Sequence, residues 1–482
     1  MRAFALLLAL CLSVLPRAFG QALPDLGEGS STVLPPQLER KIGEGIMREI
    51  RSREPSYLDD PEISDYLNQL GATLVAAVPG ARQDFEFFAI RDASVNAFAL
   101  PGGFVGVHTG LLTTAESESE LASVLAHEIS HVTQRHIARM LGTQQQMQIP
   151  GLIALAAALL LGRSRPDIAQ GAIMAAQGVM AQTQLSYSRD FEREADRIGF
   201  QTLSTAGFDV RAMAVFFEKM QRTTRVMDDG SVPGYLRSHP VTTERIADAQ
   251  ARAANLPYRQ HPDSLDFHLV RAKLRAEFGD PRDAVTEFKA AVGDLRYANE
   301  IAARYGLAVA LLRAKRPRET EVELSRLGDR AKGSPMFVTL AARARQTQGD
   351  DAGALKLLKE GAARWPQRRS VVYAYAELLG TQGRSDEVLA VIEPQMRLYP
   401  RDERLHEMRA RAFAALGKRL RQHQAQAEVY ALRGSLPAAI EQLQLAQAAG
   451  DGNFYELSAV EARLKELRAE HTRDLKEARK KQ

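Results

Sequence analysis

The stretch "SVLAHEISHVTQRHI", Ser123–Ile137, sets two histidines four residues apart with a glutamate directly after the first. In a helix, residues four apart share a face, so His127 and His131 can direct two imidazoles at one ion while Glu128 stands beside it. The stretch therefore predicts a helix that carries a divalent metal. His136, five residues beyond His131, points away from that face in a continuous helix, and we expect it at the surface.

A catalytic zinc needs a third protein ligand and one open position for water. The best candidate is Glu192, in "SRDFEREAD". Asp196 follows one helical turn later, shares the face of Glu192, and can accept a hydrogen bond from the other nitrogen of a ligand histidine. Glu194 points to the other side of the helix, so only one of the two glutamates can easily face the metal. The alternative is an exposed acidic helix without a metal.

Composition places few limits on function. The chain has 482 residues, of which 45% are hydrophobic and 25% are charged, which is ordinary for a soluble globular protein of more than one domain. Its net charge of +4 is a small surplus of 63 basic over 59 acidic residues, so charge gives no support to nucleic-acid binding.

The first twenty residues have the form of a secretory signal peptide. A basic start precedes an apolar stretch, Ala3–Leu15, and small residues follow at Ala18 and Gly20, after which we expect cleavage. The stretch is shorter than the roughly 20 residues that a spanning helix needs. The only cysteine, Cys11, lies inside it, so the mature chain would have no disulfide. Export to a bacterial periplasm fits this pattern best.

The next segment predicts helices and a small sheet. Apolar periodicity indicates helices at roughly Gln37–Arg53 and Pro61–Val78, and residues 85–112, rich in aromatic and β-branched side chains, predict a small antiparallel sheet. Thr113 with Glu116 three residues later is a plausible capping box for the helix that carries the motif.

Two apolar segments, 149–162 and 168–181, follow the motif. Each is too short to cross a bilayer. A buried helical hairpin is one interpretation, and a surface that makes peripheral contact with a membrane or a client protein is the other.

From about Leu265 the chain becomes a series of Ala/Leu/Arg-rich helical pairs. Residues recur at intervals of 34, the length of a tetratricopeptide repeat: Gly349, Ala354, Leu358 and Pro366 are followed by Gly383, Val388, Ile392 and Pro400. Weaker copies predict four or five repeats before a charged helix at Asn453–Lys481. Stacked helix pairs of this kind present a concave face to peptides or protein surfaces. A plain helical bundle is the alternative.

Together, "HEISH" and "SRDFEREAD" resemble the HtpX and CAAX-prenyl-endopeptidase family of gluzincin metallopeptidases, whose pattern is H-E-x-x-H plus E-x-x-x-D. The resemblance implies a mainly α fold, in which an α+β metallopeptidase domain with a small β-sheet precedes an α-solenoid of tetratricopeptide repeats. The expected boundaries are a signal peptide at 1–20, a peptidase domain at 33–255, repeats at 262–452 and a capping helix at 453–482.

The resemblance also implies roles for particular residues. One Zn²⁺ per chain would be bound by His127, His131 and Glu192, with Glu128 as general base and Asp196 supporting a ligand histidine. "VNAFALPGG", 95–103, resembles the edge strand on which such peptidases bind substrate, and the residues concerned are Asn96, Ala97 and Phe98. An ordinary sheet edge is the alternative.

His239, in "LRSHPVTTERI", matches a position where related peptidases carry a histidine near the metal. It could stabilise the oxyanion, or it could occupy the open zinc position and keep the enzyme latent. A helix-capping or surface histidine is the alternative. Arg245, six residues later, could orient the same loop.

The resemblance implies a periplasmic endopeptidase, with chaperone-like activity as well, that acts on unfolded or misassembled outer-membrane proteins. The β-barrel assembly machinery would be its partner through the repeats. The alternative is a repeat scaffold or chaperone with a latent or vestigial metal site. The intact Glu128 favours the peptidase, because a structural zinc site has no use for a base beside it. A membrane-resident peptidase is disfavoured, because no segment is long enough to span.

Overall fold

The computed structural model describes residues 34–81, 83–143, 189–226 and 234–479. The predicted signal peptide and the apolar segments at 149–181 lie outside these residues. None of the described helices is both long enough and apolar enough to cross a membrane.

The amino-terminal part combines helices with four short strands. In chain order the elements are α1 (Pro36–Arg53), β1 (Tyr57–Leu58), α2 (Pro61–Ala76), β2 (Glu86–Ile90), β3 (Ala97–Leu100), β4 (Phe104–His108), α3 (Thr109–Thr114), α4 (Glu118–Thr133), α5 (His136–Thr143), α6 (Arg189–Thr205), α7 (Arg211–Val226), α8 (Gly234–Ser238) and α9 (Thr243–Ala254). The helices α1 and α2 lie within a few residues of their predicted bounds.

The sheet is mixed, with the strand order β1-β2-β4-β3. The prediction of an antiparallel sheet was wrong for its central pair, because β2 and β4 run parallel. β3 and β4 form a hairpin, and β4 inserts between β2 and β3, which leaves β3 at the margin of the sheet. Alternating apolar residues reveal strands, but they do not specify which strands become neighbours. The hairpin turns at Gly102 and Gly103, whose φ angles of 77° and 94° favour glycine.

The helix that carries the motif, α4, is buried along nearly its whole length. The predicted capping box was placed too early, since Thr113 belongs to α3. Ser117 is the actual N-cap, and its hydroxyl accepts the backbone N–H of Glu120. The Glu120 carboxylate in turn accepts the backbone N–H of Glu116 at 3.0 Å. Side chains of α2, the sheet, α6 and α7 surround α4 in one continuous hydrophobic core.

The carboxyl-terminal part is a series of antiparallel helix pairs. Its helices are α10 (Leu265–Glu277), α11 (Pro281–Gly293), α12 (Glu300–Arg313), α13 (Pro317–Leu327), α14 (Pro335–Thr347), α15 (Asp351–Arg364), α16 (Arg369–Thr381), α17 (Ser385–Leu398), α18 (Glu403–Ala415), α19 (Arg419–Leu432), α20 (Leu436–Ala448) and α21 (Phe454–Arg479), with a short 3₁₀ helix at Gly328–Gly333. Consecutive helices pack on each other along the series, as in a solenoid.

The turns inside successive helix pairs show why the sequence period is visible. Gly349, Gly383 and Gly417 lie 34 residues apart, and each has a positive φ between 70° and 81°. Lys315 occupies the same kind of turn with φ at 59°. Because a lysine stands where the other pairs have glycine, this repeat is weak in sequence although its helices are regular.

The helical repeats pack directly against the amino-terminal part. Asp65 of α2 is buried and lies 3.2 Å from the guanidinium of Arg369 at the start of α16. Glu118, the first residue of α4, accepts hydrogen bonds from both the backbone N–H and the hydroxyl of Ser264, the N-cap of α10. The helix with the motif is thus bonded to the first repeat.

Candidate metal centre

Four side chains converge in the core between α4, α6 and the segment after α8. One ligand atom from each of His127, His131, Glu192 and His239 lies within 4.8 Å of the others, and all four residues are buried. The Nε2 atoms of His127 and His131 are 3.0 Å apart, and Oε1 of Glu192 lies 3.4 Å from Nε2 of His131. The structure therefore brings the three predicted metal ligands together, with His239 beside them.

Close packing of two helices sets this geometry. Gly199 of α6 lies against the backbone of α4, where a Cβ atom at residue 199 would be 3.1 Å from the backbone nitrogen of His127. A larger residue would hold the helices further apart. Glu192 lies two turns before Gly199 on α6, and the close approach brings its carboxylate to the two imidazoles.

The second nitrogen of His127 is held by a carboxylate. Nδ1 of His127 lies 2.9 Å from Oδ1 of Asp196, and Arg245 donates to both oxygens of Asp196 at 2.6 and 2.7 Å. Arg245 also reaches Oε2 of Glu192 at 2.8 Å. A proton held on Nδ1 leaves the Nε2 lone pair of His127 free for a metal. Asp196 and Arg245 therefore lie behind His127 and Glu192.

The electrostatics of the cluster favour a cation. Burial disfavours the charged imidazole, yet Asp196 and Glu192 together raise the pKa of His127 to about 9. Burial also opposes the ionised form of Glu192, but His239, His127 and His131 hold the pKa of that carboxyl well below its usual range. Two imidazoles and one carboxylate are the ligand set of many catalytic zinc sites, so the residues present fit zinc.

Glu128 lies beside the cluster without a side-chain bond of its own. It is fully buried, and neither carboxylate oxygen accepts a hydrogen bond from another side chain. Nε2 of His239 lies 3.4 Å from one of these oxygens. Burial raises the pKa of Glu128, because a charged carboxylate is poorly solvated in the core. A buried carboxyl with a raised pKa is suited to accept a proton.

His239 lies inside the cluster, and the alternative of a surface histidine was wrong. Its Nδ1 is 2.9 Å from Oε1 of Glu192 and 3.3 Å from Nε2 of His127. Its ring also stacks on that of Tyr235 in α8. One ligand atom of His239 therefore lies within 4.8 Å of a ligand atom of each of the other three residues.

The predicted edge strand lies next to this cluster. Ala97 and Phe98 belong to β3, while Asn96 precedes the strand and accepts the backbone N–H of His108 through its carbonyl. The carbonyl of Val95, one residue earlier, accepts the backbone N–H of Tyr235 at 3.2 Å. The segment that carries His239 is therefore bonded to the chain where it enters the edge strand.

The expectation for His136 was wrong. It is fully buried, and its Nδ1 lies 2.9 Å from Nδ1 of His131. The reason is a break in the helix: α4 ends at Thr133, and Arg135 adopts a left-handed conformation with φ at 54°, which turns the chain back toward His131. Sequence reasoning missed this because it assumed one continuous helix.

Glu194, which was expected to point away from the metal, contacts His136. Its Oε2 accepts from Nε2 of His136 at 3.1 Å and from Arg139 at 2.7 Å. Burial lowers the pKa of His136 to about 4 although Glu194 opposes the shift, so its imidazole is neutral near pH 7. The three acidic residues at 192, 194 and 196 thus have different contacts. Glu192 lies in the cluster, Glu194 contacts His136, and Asp196 contacts His127.

The fold and the buried cluster define a metallopeptidase. The sequence profile described as "Peptidase family M48" matches residues 61–253, which include the whole cluster. Three curated relatives extend the similarity. The chain is 37% identical over 319 residues to the "Putative beta-barrel assembly-enhancing protease" of Vibrio cholerae, which covers 66% of this chain and 65% of that protein.

It is also 32% identical over 452 residues to the "Beta-barrel assembly-enhancing protease" of Escherichia coli strain K12, covering 92% of this chain and 91% of the relative. A more distant relative, the "Mitochondrial metalloendopeptidase OMA1" of Schizosaccharomyces pombe, is 29% identical over 213 residues, with 43% of this chain and 59% of that protein covered. The chain belongs to the beta-barrel assembly-enhancing proteases of peptidase family M48. It is a zinc-dependent metalloendopeptidase.

Proposed function

We propose that the chain is a periplasmic zinc endopeptidase that acts in the quality control and assembly of outer-membrane β-barrel proteins. The carrying observation is the position of Glu128, a buried carboxyl without a side-chain bond, beside the cluster of His127, His131 and Glu192. Relatives named for β-barrel assembly support the choice of clients.

In the proposed mechanism, His127, His131 and Glu192 would hold a zinc ion, which would supply a Lewis acid for the scissile carbonyl and for the attacking water. Glu128 takes the proton from the attacking water and delivers it to the leaving amine. Asp196 and Arg245 hold His127 in one orientation throughout. β3 offers its free edge to the substrate backbone as an added strand, with Asn96, Ala97 and Phe98 along the bound segment.

The resting enzyme is closed in this proposal. His239, whose Nδ1 lies 2.9 Å from Oε1 of Glu192, would block the position that water and substrate need. The bond from Tyr235 to Val95 would keep the segment against the edge strand. The segment must move before a substrate strand can bind. Latency of this kind would protect correctly folded clients from cleavage.

The repeats and the leader complete the proposal. We infer that the signal peptide is cleaved near Gly20 and that the domains extend over 33–255, 262–452 and 453–482. The repeats would bind the β-barrel assembly machinery and unfolded clients, and they would supply chaperone-like activity. Residues 149–181 would make peripheral contact with the membrane.

The decisive experiment compares the mature chain with Glu128→Gln in the digestion of an unfolded porin. We expect the rate to fall by roughly 10²–10⁴-fold, because the amide cannot accept a proton. Zinc content, measured by metal analysis, should be unchanged, since Glu128 is not a ligand. Glu116→Gln is the matched control, because that glutamate is exposed and precedes the same helix.

Equal cleavage by wild type and Glu128→Gln would remove Glu128 from the mechanism. Retained binding of unfolded porin without any cleavage by the wild-type chain would instead support the repeat scaffold with a vestigial metal site.

A further inference from the structure

We propose that His136 is a positioning residue of the metal site, which fixes the tautomer of His131 through a relay that ends at Glu194 and Arg139. This inference rests on the proposed function, because it assigns His136 a task at the same zinc site.

The contacts form an unbroken chain. Nδ1 of His131 lies 2.9 Å from Nδ1 of His136, Nε2 of His136 lies 3.1 Å from Oε2 of Glu194, and Arg139 donates to that same oxygen at 2.7 Å. Both rings are buried. The relay begins on the side of His131 that faces away from the other ligands, since Nε2 of His131 points to His127 and Glu192.

The relay determines where the protons reside. A hydrogen bond between two Nδ1 atoms needs one proton, and either ring can carry it. Glu194 is an acceptor, so it requires the proton of His136 to lie on Nε2. With that proton on Nε2, the Nδ1 atom of His136 offers its lone pair, and His131 donates the shared proton. His131 consequently presents its Nε2 lone pair to the metal.

The surrounding residues hold His136 in place. Its ring stacks on Phe191, with centroids 4.5 Å apart and planes at 9°. The guanidinium of Arg139 also lies over the Phe191 ring, 4.6 Å from its centroid. Glu39 of α1 bonds the side chain of Arg135, the left-handed residue that directs His136 inward. The imidazole therefore has one orientation.

The two ligand histidines are thus supported in different ways. A carboxylate contacts His127 directly through Asp196, whereas His131 is reached through an intervening imidazole. In both cases an arginine neutralises the carboxylate, so neither support adds net charge to the core. Without the imidazole, the carboxylate of Glu194 would have no group through which to act on His131.

The test measures zinc affinity in the full mature chain by competition with a chromogenic chelator. His136→Leu removes the acceptor and should weaken zinc binding by roughly 10–100-fold. His136→Gln keeps an acceptor oxygen and should recover most of the affinity. Glu194→Leu should also weaken binding, but in the His136→Gln background it should cost little more, because an amide needs no tautomer selection.

His406→Leu is the matched control, because His406 is a buried histidine of the repeats that bonds the carbonyl of Pro400. The zinc affinity of the His406→Leu variant should equal that of wild type. Two results would overturn the proposal: wild-type affinity in His136→Leu, or equal losses in His136→Leu and His136→Gln, which would indicate packing alone. Both results are zinc affinities and need no cleavage assay. Failure of the proposed function would appear separately, as a wild-type chain that cleaves no porin while the variants keep the expected ratios of zinc affinity to wild type.

Discussion

At the level of single residues, the metal site depends on two acidic side chains of α6 that make different contacts. Glu192 approaches the shared centre, while Asp196, one turn later, holds the far nitrogen of His127. Arg245 contacts both carboxylates, which allows two negative groups to lie buried close together.

His239→Ala tests whether the histidine closes the site. We expect faster digestion of an unfolded porin, because removal of the imidazole opens the corner next to Glu192 and releases the stacking on Tyr235. Initial rates of porin cleavage are the measurement. His261→Ala is a suitable control, since His261 lies elsewhere and bonds the carbonyl of Gly207. Unchanged cleavage would exclude a gate, and slower cleavage would favour a direct role at the oxyanion.

Residue spacing predicted which side chains of α4 and α6 lie together, but it did not predict the position of His136. The four-residue intervals from His127 to His131 and from Glu192 to Asp196 each place two side chains on one helix face, and the structure brings these faces together. His136 could not be placed in the same way. Its position depends on the left-handed turn at Arg135, and no glycine marks that turn in the sequence.

At the scale of elements, the contact between α4 and α6 determines the position of Glu192 relative to the histidines. Gly199→Ala should lower the free energy of unfolding by about 1–3 kcal/mol, because the added methyl group meets backbone atoms that cannot rotate away. Zinc affinity should fall as well, since the helices would separate. Denaturant unfolding and chelator competition are the measurements.

Gly380→Ala in α16 provides the comparison. A Cβ atom there meets only a side chain at 3.9 Å, so this variant should be as stable as wild type or more stable by up to about 1 kcal/mol. Equal effects of the two substitutions would show that the helix contact at Gly199 is not tight.

The sequence also predicted most helices and strands, but it did not predict every pairing of the strands. Helix periodicity located α1 and α2, and the aromatic run located the strands. The parallel pairing of β2 with β4 was not predictable, because it depends on the connection over residues 91–96 that carries β3 to the sheet margin.

At the scale of the whole molecule, charged contacts join α1 to the repeats. Glu44 lies 2.7 Å from Arg401 and 3.3 Å from Arg40, and Lys41 lies 3.3 Å from Asp474 in α21. The first helix of the peptidase part is therefore bonded to a late repeat and to the last helix.

Glu44→Gln should reduce the dependence of stability on acidic pH. Burial opposes ionisation of Glu44, but Arg401 and Arg40 outweigh it and lower its pKa. The stabilisation is therefore complete above the pKa of a glutamate in the unfolded chain, about 4.3, and is lost as the pH falls through the lower pKa of Glu44 in the folded protein. The difference in unfolding free energy between pH 7 and pH 3 should shrink by roughly 0.5–1 kcal/mol.

Thermal unfolding at the two pH values measures this effect. Glu49→Gln is the control, because its ion pair with Arg53 is exposed and lies within α1 itself. An identical pH dependence in wild type and Glu44→Gln would show that the contact with Arg401 contributes nothing to folding.

The placement of Glu192 and Asp196 on one rigid helix has a consequence for how the enzyme can fail. If the register of α6 against α4 changed by one residue, both carboxylates would turn away together, by about 100° around the axis of α6. His127 would lose its support in the same movement that withdrew the third ligand. Damage to this helix pair would thus produce an abrupt loss of metal and not a gradual decline.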